Sequence, residues 1–200
     1  MDAGDALLAS LNAAPVFVTR SSLLRHCAQL APAGIACEFG VFEGHSLRQI
    51  RNFRKPPVFG FDTFTGLPSK WNTGGPREHP AGTFACQPPV DLPIGTHLVA
   101  GLFADTLPRW LEEHDGPIRF AHIDCDLYDS TRDVLRAIGP RLVAGSVLLF
   151  DELVDWTGTL YPNWRDGEFR ALVEWLAESG RAIEPVGRTD HQQAAFVLTN

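Results

Sequence analysis

The chain opens with two stretches of helical periodicity, from about Asp5 to Asn12 and from Ser21 to Leu30. The second puts Leu23, Leu24, Cys27 and Leu30 on one face, with Ser21 or Ser22 placed as its N-cap. Pro32 and Gly34 stop it. Ile35 to Phe39 then make a short, largely apolar run that enters a turn spaced by Gly40 and Gly44, and a helix starts at His45 or Ser46 and carries Leu47 and Ile50. The same order of apolar run, turn and amphipathic run recurs. Val58 to Phe61 ends at Asp62, and His97 to Ala100 leads through Gly101, Phe103 and Asp105 into a helix over 106–114. Ile118 to Ile123 ends in Asp124-Cys125-Asp126 before a helix capped by Ser130 or Thr131, and Val147 to Phe150 ends in Asp151-Glu152. A helix over 167–178 precedes Ile183 to Val186 and Ala194 to Leu198, which the 187–193 connection joins as a hairpin.

Strands apolar along their whole length, each followed by a helix, predict an α/β fold with a mostly parallel sheet covered on both faces. The terminal hairpin adds an antiparallel strand. No linker or internal repeat divides the chain, so residues 1–200 read as one domain, with the N-terminal helices (1–33) over the sheet or an active-site mouth. Only 69–97 lacks periodicity. It is rich in Pro, Gly, Asn and Thr yet carries Trp71, His79 and Phe84, and so long a connection inside a compact domain reads as a lid on the substrate side.

Charge narrows the partners. A length of 200 residues with 44% hydrophobic content suffices for one core, and a net charge of −7 offers no basic surface for phosphates, which argues against nucleic acid. A small-molecule or protein substrate is expected instead. Cys27, Cys37, Cys86 and Cys125 show no metal-binding spacing and read as free thiols of a reducing compartment. No signal peptide or membrane-length apolar run is evident, so the expected location is cytoplasmic, away from membranes.

The Gly40–Gly44 turn carries candidate chemistry. A glycine turn opening a helix presents free N–H groups to a crevice ligand, but Glu38 and Glu43 would repel the pyrophosphate of a dinucleotide. The ammonium and sulfonium of S-adenosylmethionine would be welcome there. Asp62, about twenty residues on and at the end of the next strand, stands where an acid commonly holds ribose hydroxyls. Asp124, Asp126, Asp151 and Glu152 crowd the ends of two other strands. Such acids raise one another's pKa unless a cation intervenes, and hard oxygen donors suit Mg²⁺ or a similar divalent ion.

These blocks, Glu38-Phe39-Gly40 with Gly44, Gly60 to Pro68 (GFDTFTGLP), Gly101 to Pro108 (GLFADTLP), Ile123 to Thr131 (IDCDLYDST) and Gly145 to Glu152 (GSVLLFDE), resemble in order the macrocin O-methyltransferase family of class I enzymes. The resemblance spans about Ile35 to Leu153. It implies a Rossmann-like core of seven strands and a homodimer. It also implies cofactor contacts from Glu38, Gly40, Phe42, Gly44, Ser46, Asp62, Thr63, Phe103, Asp105 and Asp124, with Asp124, Asp151 and Glu152 on a divalent ion. The activity implied is O-methyl transfer to a small polar acceptor such as a sugar moiety. Related catechol enzymes carry a lysine base where this chain has Leu127, so Asp124 and Asp126 stand as the catalytic candidates, with His79 or His122 as other bases. An NAD-dependent oxidoreductase and a non-catalytic binding module are the competing readings.

Overall fold

The computed structural model describes residues 3–76 and 79–200. Its elements in chain order are α1 (Ala3–Asn12), β1 (Val16–Phe17), α2 (Arg20–Leu30), β2 (Ile35–Phe39), α3 (His45–Phe53), β3 (Val58–Asp62), β4 (Thr96–Ala100), α4 (Phe103–Glu113), β5 (Ile118–Ile123), α5 (Tyr128–Ile138), β6 (Leu142–Phe150), α6 (Glu168–Ser179), β7 (Ile183–Thr189) and β8 (Ala194–Leu198). The strands form one sheet of eight in the order β1-β7-β8-β6-β5-β2-β3-β4. All pairs are parallel except those of β8 with β6 and β7. This is the mostly parallel, Rossmann-like sheet expected, with one strand more than seven. The extra strand, β1, is two residues at the sheet edge, too short for an alternating pattern to show.

Period-two alternation explains the unbroken apolar strands. On β6, Leu148 and Phe150 face a core shared with Leu107, Val134 and Leu172 of α4, α5 and α6, whereas Val147 and Leu149 face one shared with Leu23, Leu24, Leu47 and Ile50 of α2 and α3. At about 25 cal/mol per Å² of apolar area removed from water, each such side chain contributes roughly 2 kcal/mol or more.

Several helix starts differ from expectation. α2 is capped by Thr19, whose hydroxyl accepts from the Ser22 N–H while the Ser22 hydroxyl donates back to the Thr19 carbonyl; Ser22 is the third helical residue, not the cap. α4 begins at Phe103 rather than Thr106, whose hydroxyl donates to the Leu102 carbonyl, and α5 begins at Tyr128 rather than at Ser130 or Thr131. Strand β7 runs on to Thr189, which shortens the hairpin connection to 190–193.

The chain passes from β2 outward to β3 and β4, then returns to the other side of β2 as β5. The order therefore reverses between β2 and β5, and the crevice at the carboxyl ends of strands on either side of such a switch is where open α/β sheets bind ligands. Gly40 sits there with φ +95°, and a Cβ built on it would lie 1.8 Å from the Asp124 carbonyl oxygen. Only glycine lets the two strand ends approach so closely.

Candidate active site

A cavity of about 460 Å³ opens over this switch point, a size that suits a nucleoside-containing ligand. Phe42, Leu102, Phe103 and Phe84 give it an apolar wall, and Asp124, Asp126, Asp151 and Glu152 an acidic one. Gly40, Asp62 and Thr63 also line it. Of the other residues expected at the cofactor, Gly44, Ser46, Asp105 and Glu38 lie off this lining. Ser46 faces a second cavity of about 210 Å³, which shares Arg20, Phe42 and Asp124 with the first. Asp105 is in the exposed first turn of α4.

Glu38 is fully buried, and its Oε1 lies 2.7 Å from Nδ1 of His122, its register partner on β5. The other imidazole nitrogen of His122 is 3.7 Å from Asp151 Oδ1. Burial opposes charging His122, but the carboxylates of Asp151 and Glu38 outweigh it and push its pKa up to about 10. His122 is therefore clamped between two carboxylates in the core rather than placed as a free base.

Asp62 holds the glycine turn itself. Its Oδ2 accepts from the N–H groups of Val41 and Phe42, and its Oδ1 from that of Phe64, each at 2.8 Å. The backbone around the cavity is strained: Phe42 (φ 49°), Phe84 (φ 68°) and Asp126 (φ 60°) occupy the left-handed region that bulky residues avoid, and all three line it.

The acids crowd as anticipated. Burial, then the neighbouring Asp151 charge, raises Asp124 to about 7; burial followed by Asp124 or Asp151 drives Asp126 and Glu152 well above the usual carboxylate range. Asp151 goes the other way. Burial works against its charge, but the nearby His122 imidazole and the Arg20 guanidinium hold it low. Two triads each bring ligand atoms within 4.8 Å of one another, His122-Asp124-Asp151 and Asp124-Asp126-Glu152. The expected set of Asp124, Asp151 and Glu152 is thus divided between two overlapping groups that share Asp124.

Two residues not singled out from sequence complete the site. Arg20, the first residue of α2, pairs with Asp124 through Nη2 and with Asp151 through Nε at 2.7 Å. Glu168, at the start of α6 and fully buried, accepts from the N–H of Cys125 (3.1 Å) and of Glu152 (3.2 Å), so one carboxyl ties together the two acid-bearing turns. Burial pushes Glu168 up to about 8. Glu168 falls at the start of a helix far along the chain from the acids it joins, and Arg20 stands 104 positions from Asp124, so no local signal marks either.

The segment after β3 packs on the same cavity. Leu67, Pro68, Trp71 and Phe84 line it, Trp71 makes a bridge with His79 and stacks edge-on against Tyr161 at 5.2 Å, and Cys86 N–H bonds the Phe64 carbonyl. Residues 77 and 78 of the expected lid lie outside the described residues. No helix is long and apolar enough to cross a membrane among the described residues.

A family model described as a methyltransferase domain matches residues 37–153. The chain belongs to that family. Among solved structures, the calicheamicin methyltransferase CalS11 superposes with a TM-score of 0.68 and 28% identity over 88% of this chain and 76% of its own. The O-methyltransferase NovP gives 0.63 at 21% over 90% and 80%, and an O-methyltransferase from Bacillus cereus, in complex with SAH, 0.60 at 14% over 100% and 92%. No curated protein matches. The macrocin O-methyltransferase-like family expected from the motifs is borne out, and the protein is an S-adenosylmethionine-dependent methyltransferase of class I.

Proposed function

We propose that this methyltransferase moves the methyl group of S-adenosylmethionine to a hydroxyl of a small polar acceptor, a sugar carried by a natural product or its nucleotide-activated precursor. The observation that carries this reading is the two-sided cavity at the strand switch, with aromatic rings on one wall and four carboxyls on the other. A structure of the 28% identical CalS11 is described as a TDP-rhamnose 3'-O-methyltransferase, which supports a sugar hydroxyl as acceptor.

In this reading the adenosyl group lies against Phe42 and Phe103, Asp62 and Thr63 meet the ribose, and the methionine end runs past Gly40 toward the start of α3, where Gly44 and Ser46 stand. Glu38 acts at that end from beneath, through His122. Asp105 borders the adenine from outside the lining.

The acid wall suits a divalent ion. Its donors are hard oxygens, burial and then one another's charge push three of its four carboxyls above their usual range, and Glu152 Oε2 is buried without a hydrogen-bond partner. Asp124, Asp151 and Glu152 would hold Mg²⁺, with Asp126 adjoining. Bound there, the ion would lower the pKa of an acceptor hydroxyl and fix its direction. Asp126 is the base we favour, because it lines the cavity beside Asp124 and Glu152. The apolar wall keeps water from the methyl group. Residues 69–97 would cover the acceptor as a lid, of which Trp71 and Phe84 line the cavity.

Mass spectrometry tests the reading. Incubation with S-adenosylmethionine, Mg²⁺ and TDP-rhamnose or a glycosylated macrolide should add one methyl to a sugar oxygen and release S-adenosylhomocysteine. An enzyme that methylates only nitrogen acceptors, or whose melting temperature rises with NAD and not with S-adenosylhomocysteine, would refute it.

A further inference from the structure

Arg20 occupies the place where the two acid-bearing strand ends converge. Its guanidinium spans Asp124, after β5, and Asp151, after β6, and these two carboxylates with His122 form one of the two triads whose ligand atoms gather within 4.8 Å. A divalent ion coordinated by Asp124 or Asp151 would stand within a few ångströms of that guanidinium. Two cations so close repel strongly, and each carboxylate oxygen that donates to a metal loses capacity to accept from arginine.

The arginine is also free to leave. Its side chain is 43% exposed, against 5% for Asp151, and it stands on the first residue of α2, within the Thr19–Ser22 capping box. The second cavity of about 210 Å³, on which Arg20 borders together with Ser21, Glu43 and His45, gives the side chain room to withdraw from the acid wall.

We propose that Arg20 is a tethered counter-cation which holds Asp124 and Asp151 together in the metal-free protein and exchanges with the divalent ion when that ion binds. The inference rests on the metal reading above. It makes Arg20 a positioning residue that sets the ion affinity of the site and couples the start of α2 to its occupancy: ion bound, Arg20 out; ion absent, Arg20 in.

Calorimetric titration of Mn²⁺ into the EDTA-stripped full chain tests it, with wild type beside Arg20→Gln and Arg20→Lys. Removing the competitor should tighten Mn²⁺ binding in Arg20→Gln by roughly three- to tenfold, the scale of losing two ion pairs made by a partly exposed arginine. Arg20→Lys should fall between, because an ammonium keeps the charge but cannot bridge both carboxylates with a planar fork. Melting temperatures supply a second readout. Arg20→Gln should melt below wild type without metal, and the difference should close at saturating Mn²⁺; a merely structural arginine would leave the deficit in both conditions. Equal or weaker Mn²⁺ binding by Arg20→Gln overturns the inference while the metal reading stands. Absence of Mn²⁺ binding by every variant overturns both.

Discussion

Removing the Asp62 carboxylate should unfold the glycine turn before it touches any ligand. Asp62→Ala deprives three backbone N–H groups of their acceptor, those of Val41, Phe42 and Phe64 at 2.8 Å each. Water can replace it only for Phe42, which is 40% exposed; Val41 at 3% and Phe64 at 7% leave theirs stranded. A stranded buried donor costs about 1–3 kcal/mol, and the desolvation of the carboxylate is recovered, so the net loss should be roughly 2–4 kcal/mol. Urea unfolding followed by circular dichroism would register this as a midpoint lower by about 1–2 M for a slope of about 2 kcal/mol/M. Asp62→Asn should be milder, losing roughly 1–2 kcal/mol, because its one oxygen can still serve the Val41 and Phe42 pair while its amide faces Phe64. Calorimetry with S-adenosylhomocysteine should rank affinities in the same order. If Asp62→Ala lost affinity yet unfolded within 0.5 kcal/mol (~RT) of wild type, the turn would stand without Asp62, and its role would be ligand contact alone.

Other perturbations follow from the same geometry. Gly40→Ala should fail to fold or melt far below wild type, since its methyl would lie 1.8 Å from the Asp124 carbonyl at φ +95°, and thermal denaturation checks it. Asp151→Asn should abolish methyl transfer in a radiolabel assay while leaving S-adenosylhomocysteine affinity within about threefold, because that side chain faces the acid wall. In EDTA, stability should fall as pH rises: Asp124 at about 7, Glu168 at about 8 and His122 at about 10 all sit above their unfolded values, so the native state binds more protons from about pH 4 to 10. Chemical denaturation at pH 5.5 and 8.5 should show the acid side more stable; the reverse would mean that the carboxyls ionise freely.

Local pattern carried the sheet and failed at its margins. Val147 to Phe150 is legible as a strand because both of its faces are buried, so every position must be apolar. Val16 and Phe17 pair only with β7 at the sheet edge, where register comes from a neighbour 172 positions away and not from any pattern in the pair. Hydroxyl residues misplaced the helix starts for a related reason. Thr106 and Ser22 resemble caps, yet each bonds backward to a carbonyl, Leu102 or Thr19, from inside its helix. A single sequence shows a hydroxyl at a helix start but not which partner it takes.

The site divides along the same line. Its acids are legible because strand ends are local features, and Asp124, Asp126, Asp151 and Glu152 do line one cavity. What neutralises and holds them is tertiary: Arg20 arrives from α2 and Glu168 from α6. The arrangement concentrates unfavourable terms in one place. Carboxyls forced toward protonation, left-handed φ at Phe42, Phe84 and Asp126, and an unpartnered Glu152 oxygen all surround the same 460 Å³. A chain selected for stability alone would relieve each of these with an ordinary substitution, so their coincidence argues for a ligand that compensates them together. Positive charge would offset the part of that cost that comes from the crowded carboxyls. Whatever binds only the folded state stabilises it by RT ln(1 + [L]/Kd), so ligands at a hundred times their Kd return about 2.7 kcal/mol to a fold that gives up stability to receive them.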